Sequence, residues 1–149
     1  MSSLEVVLKL RKRTEEQKLE IYIRALNNLN QFKQKLEQLK GFRELYIREM
    51  HEHSAGEISM RTLLSYKDFI VKIENIVKTQ SAQLTELEAE TGLRQGEYLK
   101  AVQERRVIEE LLAKKKQEEA RLEARREQLL SDELASSKHA ARLIRERRS

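Results

Sequence analysis

Apolar residues recur along this chain at alternating steps of three and four, in two long runs separated by one interruption. Steps that average about 3.5 residues are the spacing of a coiled-coil seam, and the sequence contains no proline that would break a helix. The pattern predicts an all-α fold: two long helices in an antiparallel coiled-coil hairpin, with the second helix overhanging at the C-terminus. In the first run the seam positions are Leu8, Tyr22, Ala25, Leu29, Phe32, Leu36, Leu39, Tyr46 and Met50. In the second run they are Leu63, Tyr66, Ile70, Ile73, Val77, Leu84, Leu87, Tyr98, Ala101, Ile108, Leu112, Leu122 and Leu129.

The same pattern predicts element boundaries within one domain, residues 1–149. Ser59 follows the interruption and is a suitable N-cap for the helix after it. The predicted elements are helix one over about 4–50, a turn over 51–59, helix two over about 60–141 and a basic C-terminal end over 138–149.

The unequal lengths of the two helices predict a register. If Met50 faces Met60 to Leu63, the numbers of paired residues sum to about 110–113, and Leu4 lies near Val107. About 40 residues of helix two then have no partner in the chain. This overhang carries seam residues beside basic ones, which indicates either a binding surface or a solvated helix.

Some positions of helix one lack an apolar side chain for packing. Arg11, Glu15 and Lys18 fall on its seam, so we expect its early turns to be poorly packed. Gly41 falls opposite Phe69 and Ile70, and we expect its missing side chain to make room for a ring.

Composition argues against several classes of function. Charged residues make up 37% of the chain and aromatic residues 5%, and cysteine is absent, so neither disulfides nor thiolate chemistry are available. A two-helix hairpin offers no enclosed pocket, and the sequence has no glycine-rich phosphate loop or nucleophile elbow. The segment His51-Glu52-His53 lacks the i,i+4 histidine pair of a zinc-binding helix. We therefore expect a protein that is not an enzyme, with no metal site and no cofactor.

Charge is distributed unevenly along the chain. Residues 1–50 carry 11 basic and 7 acidic side chains, residues 51–104 carry 6 and 9, and residues 105–149 carry 13 and 9. Folding at the turn brings both basic segments to one end. Interleaved acidic residues and few aromatic ones argue against a nucleic-acid partner.

Nothing in the sequence predicts a membrane segment. The C-terminal helix could lie on a membrane surface, but its apolar face has no Trp or Phe. No stretch approaches the roughly 18 apolar residues of a membrane span, and the apolar run near residue 1 is too short for a signal peptide. We expect the protein to be cytoplasmic.

One row of residues lies beside the predicted seam and is not needed to fill it. Phe69 and Ile76 are surplus apolar residues, and with Ile73 and Gln80 they follow one face of helix two. The row is either covered by long side chains of helix one or forms a patch where another protein docks. Both interpretations stay open at this level.

The spacing of residues in helix two resembles that of a known family. The stretch concerned reads Tyr66-x-x-Phe69-Ile70-x-x-x-Glu74-x-x-Val77-x-x-Gln80-x-x-x-Leu84, followed by Arg94-x-x-x-Tyr98-x-x-Ala101 and Arg105-Arg106…Glu109. Together with the length, the turn position and the basic tail, it makes the whole chain similar to the flagellar export protein FliJ family. The stalk protein of virulence-type III secretion systems and a general export chaperone or adaptor are the alternatives.

The resemblance implies a non-enzymatic, stalk-like component of the flagellar type III protein export apparatus, at the cytoplasmic face of the inner membrane. The processes that the resemblance implies are flagellum biogenesis, protein transport and chemotaxis. The implied partners are the hexameric export ATPase, whose ring receives the terminal helices, the cytoplasmic domain of the export-gate membrane protein, and export chaperones. The implied gate-binding residues are Phe69, Ile73, Ile76 and Gln80. The residues assigned to the ATPase ring are Lys9, Arg11, Lys12, Arg13, Lys114, Lys115, Arg125, Arg126, Arg142 and Arg145.

Overall fold

The computed structural model describes residues 2–54, 56 and 59–148. Two elements follow in chain order, α1 (Ser3–Ser54) and α2 (Met60–Arg148), and the described residues contain no strand. The two helices pack against each other as an antiparallel hairpin, which confirms the predicted fold class.

Side-chain caps explain where both helices begin. At the start of α1, the Ser2 hydroxyl accepts the backbone N–H of Glu5 at 3.3 Å, and the Glu5 carboxylate accepts the backbone N–H of Ser2 at 3.2 Å. This reciprocal pair is a capping box. At the start of α2, the Ser59 hydroxyl accepts the backbone N–H of Thr62 at 3.2 Å. The N-cap predicted at Ser59 is confirmed.

Both helices are longer than the sequence pattern predicted. α1 ends at Ser54, so residues 51–54 are helical and the predicted turn over 51–59 was too long. The ring of His53 stacks on Tyr66 of α2 at a centroid distance of 6.0 Å, which gives this last turn of α1 a packing partner. α2 continues to Arg148, past the predicted end near residue 141, because no glycine or proline interrupts it there.

The apolar seam is confirmed from Leu8 as far as Leu112. Every predicted seam residue over this span is buried or half-buried, and the most buried cluster consists of Leu36, Ile73 and Val77. Beyond it, the seam residues Leu122 and Leu129 are exposed, as is every side chain from 113 through 148. The unpaired part of α2 therefore begins after Leu112 and not at the expected Val107.

One buried seam position is polar. Thr91 is 7% exposed, and its hydroxyl donates to the carbonyl oxygen of Leu87, one turn earlier in α2, at 2.7 Å. It also lies 3.5 Å from the carbonyl oxygen of Ala25 in α1. Because the hydroxyl is satisfied within its own helix, it can occupy the seam without an unpaired polar atom.

Packing divides the chain into two compact units. The terminal unit comprises Met1–Lys12 and Gln103–Ser149, and the central unit comprises Arg13–Val102. In the terminal unit, Arg11 of α1 pairs with Glu104 of α2 at 3.0 Å. In the central unit, Lys18 of α1 pairs with Glu97 of α2 at 4.0 Å.

Contacts between the two helices correct the predicted register. The residue numbers sum to 115 in both of these ion pairs, to 121 for Lys33 with Glu88 and to 120 for Tyr22 with Tyr98. Of these contacts and that of Tyr46 with Tyr66, only the last, at 112, falls within the expected 110–113. The shift follows from the extension of α1 to Ser54, which moves the reversal of the chain to later residues. The early turns of α1 do contact the opposite helix, because Arg11 and Lys18 each pair with a carboxylate of α2.

The expectation for Gly41 is wrong. A Cβ atom built on Gly41 has no neighbour within 4 Å, so no ring or other group occupies the space beside this glycine. The ring of Phe69 packs instead on Tyr46, with centroids 4.5 Å apart.

Candidate functional site

The helix-two patch consists of Phe69, Ile73, Ile76 and Gln80, and it lies in the central unit. Steps of four, three and four residues place all four positions on one face of α2. Phe69 is 44% exposed and Ile76 is 46% exposed, whereas Ile73 is 4% exposed. Two apolar side chains are therefore accessible on either side of a residue that belongs to the core.

Phe69 is supported from α1 but not covered by it. Tyr46 packs on the Phe69 ring at an interplanar angle of 59°, and its own ring lies 6.3 Å from that of Tyr66. A shallow groove lies beside this cluster, lined by Tyr46, Thr62, Ser65, Tyr66 and Phe69. Tyr46 contacts part of the Phe69 ring, and the rest of the ring is exposed.

Ile76 has a polar rim. It shares a second shallow groove with Asn75, Thr79, Gln80 and Gln83. The Thr79 hydroxyl donates to the carbonyl oxygen of Asn75 at 3.1 Å, so the amide side chains are the groups able to bond with a partner. An apolar centre with an uncharged polar rim is the usual composition of a protein–protein contact.

Ile73 has a different position from its three neighbours in the predicted set. It packs against Leu36 and Val77 at the centre of the core. A partner on the surface of the hairpin cannot reach it without displacing core residues, so any contribution of Ile73 to docking comes from holding α2 in place. The interpretation in which helix one covers the whole row is also wrong, because Phe69 and Ile76 stay almost half exposed.

The basic set comprises the ten lysine and arginine residues predicted to contact an ATPase ring. All ten are exposed. Nine of them lie in the terminal unit, and Arg13 lies in the central unit. Arg11 pairs with Glu104 at 3.0 Å and Arg126 pairs with Glu123 at 3.7 Å. Both pairs are on the surface, where such contacts contribute little to stability and can be exchanged for contacts with a partner.

The two units differ in net charge. The terminal unit contains 16 Lys and Arg residues and 11 Asp and Glu residues, a net charge of +5. The central unit contains 14 of each and is neutral. All of the excess positive charge of the chain is therefore carried by the unit that includes both of its ends.

The unpaired part of α2 is supported by ion pairs along its own surface. Arg121 donates two hydrogen bonds to the Glu118 carboxylate, the shorter at 2.7 Å. This hydrogen bond and the charge of Arg121 lower the pKa of Glu118, and the same contact raises the pKa of Arg121. Pairs at i,i+3 spacing stabilise a helix that has no partner to pack against.

Across residues 2–54, 56 and 59–148, no group of three or more His, Cys, Asp or Glu side chains could hold a metal ion. In the same described part of the chain, neither helix has an apolar stretch long enough to cross a membrane.

The fold and these surfaces define a helical-hairpin protein with an exposed apolar patch on one unit and an excess of positive charge on the other. The family model described as "Flagellar FliJ protein" matches residues 1–143 of the 149. The chain therefore belongs to the flagellar FliJ family, whose members are non-catalytic components of flagellar export. A comparison with curated proteins found no match, and neither did a comparison with solved structures.

Two features of this arrangement are not predicted by the apolar pattern. Tyr46 is a predicted seam residue, and in the structure it also supports Phe69. Thr91 has a hydroxyl side chain and so is not part of an apolar pattern, although its position continues the spacing from Leu84 and Leu87. Spacing alone, applied without regard to residue type, would have found Thr91.

Proposed function

We propose that this protein is a stalk-like subunit that links the flagellar export ATPase to the export gate. The terminal unit enters the ATPase ring through the basic set, and the helix-two patch contacts the cytoplasmic domain of the gate protein. This places the protein at the cytoplasmic face of the inner membrane, together with export chaperones. ATP hydrolysis is the chemistry of the ring and not of this chain.

The partition of charge is the observation that carries the proposal. A ring lumen lined by acidic residues would attract the terminal unit, with its net charge of +5, and would not attract the neutral central unit. The unpaired part of α2 adds to this, because every side chain from 113 through 148 is exposed and available for contact. Family membership supports the setting in flagellar export.

The contact with the gate is supported by the helix-two patch. Phe69 and Ile76 lie about two helical turns apart on one face, so their accessible sides can seat together in one partner. Their exposure, 44% and 46%, leaves apolar area to bury on binding. Burying it favours a complex, and the freedom that both partners lose on binding offsets part of that gain.

Charge reversal tests the ring contact. Replacing four exposed lysines of the terminal unit by glutamate should abolish stimulation of the export ATPase by the full chain. The charge-matched control reverses four exposed basic residues of the central unit, and it should stimulate as the unaltered chain does. The test substitutions are Lys9→Glu, Lys12→Glu, Lys114→Glu and Lys115→Glu. The control substitutions are Arg61→Glu, Lys67→Glu, Lys78→Glu and Lys100→Glu. Equal loss in both variants would show that the ring senses net charge and not the terminal unit.

Truncation of the patch tests the gate contact. Phe69→Ala with Ile76→Ala should weaken binding to the cytoplasmic domain of the gate protein by about tenfold or more, since apolar anchors of this size contribute about 2 kcal/mol or more. ATPase stimulation should be retained. Val71→Ala is the matched control, because Val71 is 53% exposed on the opposite face of α2. If the double substitution does not selectively weaken binding to the gate protein or to the ATPase, the result would favour a general export adaptor instead.

A further inference from the structure

Most of the net charge of the terminal unit is concentrated near the end of α2. Residues 113–133 carry six basic and six acidic side chains and are neutral overall. Residues 134–149 carry five basic side chains and one acidic, a net charge of +4 out of the +5 of the whole chain. The basic residues are Lys138, Arg142, Arg145, Arg147 and Arg148.

The terminal segment, defined as residues 130–148, is amphipathic. At 3.6 residues per turn, Leu130, Leu134, Ala141 and Ile144 fall in one apolar stripe. Leu130, Leu134 and Ile144 are 61%, 63% and 55% exposed. A second stripe runs beside it and consists of three basic residues at steps of four and three, Lys138, Arg142 and Arg145.

The segment has three acidic residues, Asp132, Glu133 and Glu146. On the helix Asp132 falls opposite the apolar stripe, Glu146 adjoins the basic stripe one turn after Arg142, and Glu133 lies at the edge of the apolar stripe that is farther from the basic stripe. A surface that contacted both stripes would therefore meet three basic side chains together and a single carboxylate, that of Glu133, at its margin. Such an arrangement fits a flat, negatively charged surface with an apolar layer beneath it.

We propose that the terminal segment binds reversibly to the surface of a bilayer that contains anionic lipids. The basic stripe lies at the level of the lipid phosphates, and the apolar stripe is buried among the upper parts of the acyl chains. The long stems of Lys138, Arg142 and Arg145 allow their charges to reach the headgroups while the helix lies lower. This inference goes beyond the proposed function. Because Arg142 and Arg145 also belong to the basic set, the segment binds the bilayer in the fraction of molecules whose terminal unit is not inside the ATPase ring.

Other occupants of the segment fit the observations less well. Nucleic acid needs positive charge but no apolar stripe, and it gains from stacking on aromatic rings. The last aromatic residue in the chain is Tyr98, far from the segment. Residues 130–148 carry five basic and three acidic side chains, so a second copy of the segment would bring two net charges of +2 together, which opposes pairing. Leucine and isoleucine, in place of Trp or Phe, supply the apolar contact of this segment with the bilayer.

Vesicle flotation with the full chain tests the proposal. We expect binding to vesicles of phosphatidylcholine and phosphatidylglycerol at physiological salt to exceed binding to phosphatidylcholine alone by about tenfold or more. Each basic residue near an anionic surface raises partitioning by about a factor of five. The combination Lys138→Glu, Arg142→Glu and Arg145→Glu should therefore reduce it by about 100-fold. The charge-matched control, Arg61→Glu, Lys78→Glu and Lys100→Glu, should bind as the unaltered chain does.

A second variant tests the apolar stripe without changing charge. Leu134→Ser with Ile144→Ser should weaken flotation on anionic vesicles several-fold, while circular dichroism shows retained helix content. Equal flotation on neutral and anionic vesicles would overturn the proposal, and so would equal loss in the charge-matched control. Binding of duplex DNA without vesicle binding would overturn it in favour of nucleic acid. If the unaltered chain stimulates the ATPase but does not float, only this inference fails. If it floats but does not stimulate, only the proposed function fails.

Discussion

Replacing Gly41 with alanine should stabilise the protein. Gly41 lies inside α1, where glycine costs about 1 kcal/mol relative to alanine because its backbone loses more freedom on folding. A Cβ atom at this position meets nothing within 4 Å, so the substitution introduces no clash to offset that gain. The free energy of unfolding should rise by about 1 kcal/mol, which corresponds to about 2–4 °C in Tm for a chain of this size.

The same reasoning extends to the glycines of α2. A Cβ atom at Gly92 or Gly96 also has no neighbour within 4 Å. Alanine at all three positions should add about 2–3 kcal/mol, provided that Gly92 and Gly96, one turn apart, do not couple. Gly41→Leu, which a packed ring opposite Gly41 would make strongly destabilising, should change stability by less than about 1 kcal/mol.

Urea unfolding followed by circular dichroism measures these changes, with Gly56→Ala as the control. Gly56 lies between the helices and gains no helix propensity, and its Cβ would lie 3.7 Å from the carbonyl oxygen of His53, an ordinary contact. A loss of stability in Gly41→Ala would refute the reasoning, since it would show that another group occupies the space beside Gly41.

Three further predictions concern the core, a cap and an exposed ion pair. Leu36→Ala should lower the free energy of unfolding by about 2–5 kcal/mol in urea, because Leu36 is 2% exposed at the centre of the core; a change below 1 kcal/mol would contradict that position. Ser59→Ala should lower it by about 1 kcal/mol through loss of the bond from the Thr62 N–H, while Ser59→Asp should retain most of it. For Glu118, NMR titration should show a pKa below its ordinary value, and Arg121→Gln should raise it back. Because the folded-state pKa is lowered, the pair supports the helix above the unfolded pKa of Glu118, and that support is lost as the pH falls through the lowered pKa. An unchanged pKa in Arg121→Gln would exclude Arg121 as its cause.

The sequence by itself determined the elements, the seam and the family. The apolar period of about 3.5 residues is a local property of a helix and needs no knowledge of what the seam contacts. It therefore identified core residues such as Leu36, Ile73 and Val77 correctly. It also separated Phe69 and Ile76 from them, because a residue one position off the seam has a different direction on the helix.

Only the tertiary structure decided the register and the contacts that individual side chains make with the opposite helix. The register depends on where α1 ends, and Ser54 is held in the helix by contacts such as the stacking of His53 on Tyr66, which join residues far apart in sequence. The polar seam residues Arg11 and Lys18 pair with carboxylates of α2, and the residue pattern within α1 cannot predict those partners. The same is true of Gly41 and of the support of Phe69 by Tyr46, since both depend on which residue of the opposite helix is nearest.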